Sequence, residues 1–157
     1  MPITGTIKAY LERKGVDYDI VSHPHTTSSL QTMETSHIDG RRIAKGVILK
    51  DQEGFLLAVL PATRNLDLHL LENQIGRRMD LAEEKELSGL FPDCQLGAVP
   101  ALGLAYGINT LIDEALLSQP EVYFEAGNHE ELIHLRESEF EKLMEGAEYQ
   151  YFSHVDP

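Results

Sequence analysis

RIAKGVILK (42–50) and FLLAVLP (55–61), separated by DQEG (51–54), form the stretch on which the fold turns. Two apolar runs joined by a short polar connection ending in Gly54 predict a β-hairpin. In a strand, residues two apart share a face. Ile43, Lys45, Val47 and Leu49 therefore point one way, and Ala44, Gly46 and Ile48 the other. Both sets are apolar or small except for one ammonium, so the first strand reads as buried on both sides.

Towards the N-terminus, Thr4 or Thr6 can cap an amphipathic helix with Ile7, Tyr10 and Leu11 on one face, ended by Gly15. VDYDIV (16–21) alternates like a strand, HPHTTSS (23–29) is a polar loop, and a short helix is expected over about 30–36. Beyond the hairpin, 66–75 fits a helix closed by Gly76, and LAEEKELSGLF (81–91) a second one, closed near Gly89 and Pro92. PDCQLGAVPALG (92–103) is a Gly/Pro-punctuated loop. INTLIDEALL (108–117) starts as a strand. VYFEAG (122–127) and LIHL (132–135) are strands around a GNHEE turn. ESEFEKLMEG (137–146) is a closing helix with Phe140, Leu143 and Met144 on one face. No linker, repeat or low-complexity segment divides the chain. The expected class is α/β (α+β), one compact domain over residues 1–157 with a mixed sheet and peripheral helices.

Composition narrows the function. The net charge is −13, and the densest basic groups are Arg41, Arg42, Lys45 and Lys50, then Arg77 and Arg78. Nucleic-acid binders draw much of their affinity from neutralising phosphates, so this balance argues against DNA or wide RNA contact and leaves room for one tRNA end. Cys94 is the only cysteine, which excludes an internal disulfide and fits a reducing compartment. No stretch approaches the ~18 apolar residues of a membrane span, and the start lacks a signal-peptide pattern. The expected location is cytoplasmic.

Lys45 is the residue that most invites a chemical role. A charge among aliphatic neighbours is costly, and lysine is rare there, so the side chain either meets an anionic or carbonyl group of a ligand or snorkels to a carboxylate or water. The loop GAVPALG (97–103) is a second candidate: its glycines permit close backbone approach and Pro100 stiffens it, although an ordinary tight connection has the same composition. Among the seven histidines, His23 and His25 have H-x-H spacing but no third ligand with motif spacing, which disfavours a metal hydrolase. His129 falls in a turn after a strand, as a polar pocket group or a solvated histidine. No G-x-S-x-G elbow, P-loop or dinucleotide fingerprint is present. Asp93 beside Cys94 would raise the thiol pKa, so the cysteine reads as non-catalytic.

Three segments resemble the YbaK/prolyl-tRNA synthetase-associated domain family. RIAKGVILKD (42–51) resembles its strand with one essential lysine, at Lys45. GAVPALG (97–103) resembles its G-x-x-x-P loop, at Gly97 and Pro100. INTLIDEALL (108–117) with VYFEAGNHEELIHLRESEFEKL (122–143) resembles its C-terminal half, including Asp113, Gly127 and His129. The resemblance implies a barrel-like mixed sheet and a deacylase that hydrolyses the ester of a mischarged tRNA carrying a small amino acid, possibly alanine. It implies no metal and no organic cofactor, and catalysis by positioning and electrostatics rather than a protein nucleophile. Lys45 would hold the terminal nucleotide or the aminoacyl group. Gly97, Ala98, Val99 and Pro100 would line the aminoacyl pocket, with His129 and Asp113 as further substrate-binding groups. The partner would be the 3′ acceptor end of an aminoacyl-tRNA, delivered with or without a synthetase or elongation factor. The alternative is a non-catalytic module of the same fold that recognises an amino acid, a nucleotide or a protein.

Overall fold

The computed structural model describes residues 4–24, 32–33, 36–95 and 99–155. The hairpin predicted from 42–61 is its centre. β2 (Ile43–Asp51) and β3 (Gly54–Pro61) pair antiparallel from Ala44↔Pro61 to Asp51↔Gly54. The turn closes because Asp51 Oδ1 accepts the backbone N–H groups of Glu53 (2.8 Å) and Gly54 (3.2 Å), and Gly54 takes φ +139, which a side chain would resist.

Around that hairpin lie β1 (Asp19–Ser22), β4 (Asn65–Leu66), β5 (Asp80–Leu81), β6 (Asn109–Asp113), β7 (Glu121–Glu125), β8 (Glu131–Arg136), β9 (Glu148–Gln150) and β10 (Ser153–His154). The main sheet runs β1-β8-β7-β2-β3-β6-β9, with β5 paired to β2 beyond the end of β7, and β4 and β10 pair separately. β2–β7, β3–β6 and β6–β9 are parallel and the other pairs antiparallel, so the sheet is mixed as expected. Its hydrogen-bonded path is open, with β1 and β9 as its ends.

Four helices flank the sheet among the described residues: α1 (Gly5–Lys14), α2 (Leu68–Ile75), α3 (Glu84–Leu90) and α4 (Glu137–Leu143). α1 begins where Thr4 Oγ1 accepts from the Ile7 N–H and ends at Gly15 in the left-handed region. Two apolar clusters cover the two faces. The larger holds Ala44, Ile48, Phe124, Ile133 and the buried faces of α1 and α4, and the smaller holds Leu49, Leu60, Leu71 and Phe152. Each fully buried Leu or Phe contributes about 1.5–3 kcal/mol, so both faces of β2 stabilise the centre of the sheet.

Several boundaries move, each for a local reason. β1 starts at Asp19 rather than at 16, because Val16 turns into the larger cluster as the chain leaves α1. α2 starts at Leu68, since Asp67 Oδ1 caps the Leu70 N–H at 3.0 Å and Asn65–Leu66 pair with β10. α3 starts at Glu84, because Leu81 pairs with Leu49 and Glu86 reaches back to the Glu83 N–H at 3.0 Å. The segment 108–117 starts as a strand, as expected, and after β6 the chain forms a 3₁₀ turn over Glu114–Ser118. Most of the helix expected over 30–36 lies outside the described residues, where only Thr32, Met33 and Ser36 are seen, in helical geometry.

Candidate active site

Lys45 lies at the middle of the sheet, opposite Leu60 across the hairpin, and is half-buried. It leaves β2 on the face of Val47, Leu49 and Leu60, the side of the smaller apolar cluster. Its Nζ donates to the Ala62 carbonyl at 3.3 Å. Ala62 is fixed in turn, its own N–H bonded to the Ile43 carbonyl at 2.7 Å. The ammonium is thus held over the end of the hairpin. Pro61 and Thr63, on either side of Ala62, line an open cleft of about 1110 Å³ with Met33, Gly40, Arg64 and Tyr151 among its other walls. Arg64 donates to Ser153 Oγ (2.6 Å) and Tyr151 Oη (3.1 Å), and its guanidinium lies 5.3 Å from the centre of the Tyr151 ring. Tyr151 itself is 47% exposed. A flat aromatic face beside a guanidinium suits a base and a phosphate.

The turn after β7 ties distant parts of the chain together. Gly127 has φ +92, and a Cβ there would run into the Thr4 side chain and stand 3.2 Å from Cys94 Sγ. The Gly127 carbonyl accepts from Gln95 N–H at 2.8 Å, and the Glu130 carbonyl from His23 N–H at 2.8 Å. Asn128 Oδ1 receives the N–H groups of Glu130 and Glu131, both at 2.9 Å. His129 is buried in this turn rather than solvated. Of the loop, Gly97 and Ala98 lie outside the described residues, Val99 packs half-buried against the larger cluster, and Pro100 is buried. The Pro100 carbonyl passes 3.7 Å from where a Cβ on Gly46 would stand, while Leu57 Cδ1 lies only 2.8 Å from that point, so the missing side chain makes room for Leu57. Gly46 and Lys45 alternate along β2, so Pro100 crosses the face opposite to the one Lys45 leaves from. A ligand touching both must reach past the strand.

A pair not anticipated from the sequence lies on the Lys45 face. His23 Nε2 is 4.0 Å from Glu125 Oε2, with side chains 0% and 13% exposed. Glu125 Oε1 accepts from the Thr32 hydroxyl at 3.1 Å. Burial pushes the Glu125 carboxyl up to about 7, the Thr32 hydroxyl acting in the other direction. The alternation of VYFEAG carried a signal for it: Val122 and Phe124 enter the larger core, so Tyr123 and Glu125 turn to the other face. His23 sits in a run that reads as polar loop, and only the pairing of β1 with β8 buries it.

Asp113 is fully buried at the end of β6, separated from β2 by β3. Its Oδ1 accepts from Ala115 N–H (2.8 Å) and its Oδ2 from Phe152 N–H (3.0 Å). Cys94 lies 3.2 Å from the Tyr106 hydroxyl, and burial, then the Asp93 charge, push its thiol up to about 11, far from a nucleophilic thiolate. Among the described residues no three His, Cys, Asp or Glu side chains gather as a metal site, and His25 lies outside them.

The fold recurs in solved structures. A candidate trans-editing enzyme for prolyl tRNA synthetase superposes with TM-score 0.83 at 22% identity, covering 98% of this chain and 99% of that one. A hypothetical protein does so with TM-score 0.84 at 21% identity, covering 95% and 99%. A signal transduction candidate from Marinobacter aquaeolei VT8 gives TM-score 0.79 at 21% identity, covering 99% of this chain but 31% of that longer one. At such identities the likeness speaks to the fold alone. No curated protein matches the chain in sequence. The aminoacyl-tRNA editing domain family matches residues 23–143, a span that includes Lys45, Pro100, Glu125 and His129, and the chain belongs to that family.

Proposed function

We propose that the chain is an aminoacyl-tRNA deacylase that hydrolyses the ester of a tRNA mischarged with a small amino acid, alanine being the first candidate. The observation that carries this reading is Lys45: an ammonium set into the apolar face of a central strand and held over the hairpin end by the Ala62 carbonyl, inside the span of the editing family. In this reading water attacks the ester carbonyl, adding its oxygen to the carbonyl carbon and giving up a proton. The bond from the carbonyl carbon to the ribose oxygen breaks, and the ribose oxygen leaves with a proton. Lys45 holds the carbonyl or the terminal phosphate through a charge-assisted bond. On the opposite face of β2 the loop that ends at Pro100 bounds the far side of the aminoacyl pocket, which the ligand enters past the strand, His129 supports it, and Asp113 serves it by fixing the backbone at Ala115 and Phe152. The cleft beside Ala62, with Arg64 on Tyr151, takes the last nucleotides of the acceptor end. Neither metal nor organic cofactor takes part. No helix among the described residues is long and apolar enough to cross a membrane, in keeping with work in the cytoplasm.

The net charge of −13 leaves little surface for gripping a whole tRNA, which favours recognition confined to the acceptor end or delivery by a synthetase or elongation factor. A panel of mischarged tRNAs, incubated with the parent protein and Lys45→Met, tests the reading. Release of one amino acid by the parent and not by the variant is expected. A protein that binds the acceptor end and releases none of them is a recognition module instead.

A further inference from the structure

Among the described residues, His23 and Glu125 turn two buried, unbonded atoms towards each other. His23 Nδ1 lies 2.7 Å from the Pro24 carbonyl, which can only accept, so that nitrogen carries a proton. In the neutral ring Nε2 is then a bare acceptor. It faces Glu125 Oε2 across 4.0 Å, too far for a direct hydrogen bond. Among the described residues neither atom has a hydrogen-bond partner, although both are buried. Buried acceptors are normally satisfied, so two that converge on one point mark a place for a donor. That donor atom must stand about 2.8–3.0 Å from each of the two and carry at least two protons. A primary ammonium offers three, and its charge compensates a buried carboxylate.

The register sets this point beside Lys45. Ile43 pairs with Tyr123 in parallel, so Lys45 and Glu125, each two residues on, share a face of neighbouring strands. Glu125 and Val21 both pair with Leu132, which puts His23, two beyond Val21, on that face as well. Adjacent strands lie about 4.8 Å apart. An α-amino ester carries its ammonium one carbon from its carbonyl, a separation that neighbouring strands can span.

We propose that Glu125 and His23 seat the free α-ammonium of the aminoacyl group while Lys45 holds its carbonyl side, so that the site selects aminoacyl esters with an unblocked amine. The inference rests on the deacylase reading for the identity of its ligand. Among the described residues, the titratable groups that the register places on the Glu125 face are His23 from β1 and Lys45 from β2, beside the Thr32 hydroxyl bonded to Glu125 and the apolar Leu132 on β8. Burial holds the free carboxyl near pH 7, and a seated cation would draw its proton off.

The test is calorimetric titration of the full chain at pH 7.5 with non-hydrolysable 3′-amide-linked alanyl-adenosine, its N-acetyl derivative and the lactyl analogue, in which a hydroxyl replaces the amine. The parent should prefer the free amine by about tenfold or more over both others, one charged contact being at stake. Glu125→Gln, which keeps the shape and the Thr32 contact, should bring the three within about twofold while leaving lactyl binding unchanged. Equal binding of the three by the parent, no binding of the amine compound, or an undiminished preference in Glu125→Gln overturns the proposal. Should the variant not fold, the parent's preference alone decides. Hydrolysis of alanyl-tRNA is followed in parallel. Preference for the amine without hydrolysis of any aminoacyl-tRNA sinks the deacylase reading and not this one, whereas hydrolysis without that preference sinks this one alone.

Discussion

The Lys45 ammonium is bound 3.3 Å from the carbonyl oxygen of Ala62, the residue two beyond Leu60, its partner across the hairpin. A hydrogen bond to a backbone carbonyl is worth about 0.5–1.5 kcal/mol net, or somewhat more with a charged donor. Lys45→Met keeps the apolar stem against Val47 and Leu49. If the ammonium serves a ligand rather than the framework, the melting midpoint should stay within the equivalent of ~1 kcal/mol of the parent. Single-turnover deacylation should fall by about 10²-fold or more, as for other lost charged contacts at a reacting centre. Arginine should rescue poorly, because its planar fork does not fit where an ammonium sits. A variant destabilised by ~3–5 kcal/mol with normal activity per folded molecule would instead mark Lys45 as half of a structural ion pair.

Glu125 should make stability depend on pH. Its carboxyl is raised from the ordinary 4.5 to about 7, so between those values the folded protein keeps a proton that the unfolded chain has released. Stability therefore falls as pH rises through that window, and the full cost is present above pH 7. Glu125→Gln removes the titration. It should match the parent near pH 4 and exceed it at pH 8 by on the order of 1–3 kcal/mol. Urea midpoints of the two proteins at both pH values measure this, and a constant difference would place the carboxylate in water.

Asp113→Ala should act on the framework. Two backbone N–H groups, a half-buried one at Ala115 and a buried one at Phe152, lose their acceptor, at up to about 1–3 kcal/mol each. We expect a loss of roughly 2–5 kcal/mol in chemical denaturation, with turnover per folded molecule near that of the parent. A stable variant that no longer binds substrate would move Asp113 from the framework to the ligand.

Binding of the acceptor end should respond weakly to salt. With Lys45 and Arg64 as principal cations, the slope of log affinity against log salt should be on the order of 1–3. A slope several times steeper, read from filter binding between low and physiological salt, would reveal a basic surface beyond the cleft.

Much of this protein is written locally. The hairpin over 42–61 follows from two apolar runs and a turn whose chemistry is complete within Asp51, Glu53 and Gly54. The helix ends follow from single capping residues such as Thr4, Gly15 and Asp67, and the standing of Lys45 follows from one charge in an apolar period. Each is a relation between residues a few positions apart, which periodicity and capping express directly. The short strands 148–150 and 153–154 carry no such period, and they form only because Leu111 and Leu66 present edges to pair with. The Ala62 acceptor, the passage of Pro100 over Gly46 and the meeting of His23 with Glu125 are relations across strands. They depend on which strands neighbour one another and in which register, and a shift of one residue would turn every one of those side chains to the other face. Tertiary structure alone decided that the histidine of a polar stretch and a glutamate from a distant strand face each other, buried, 4.0 Å apart.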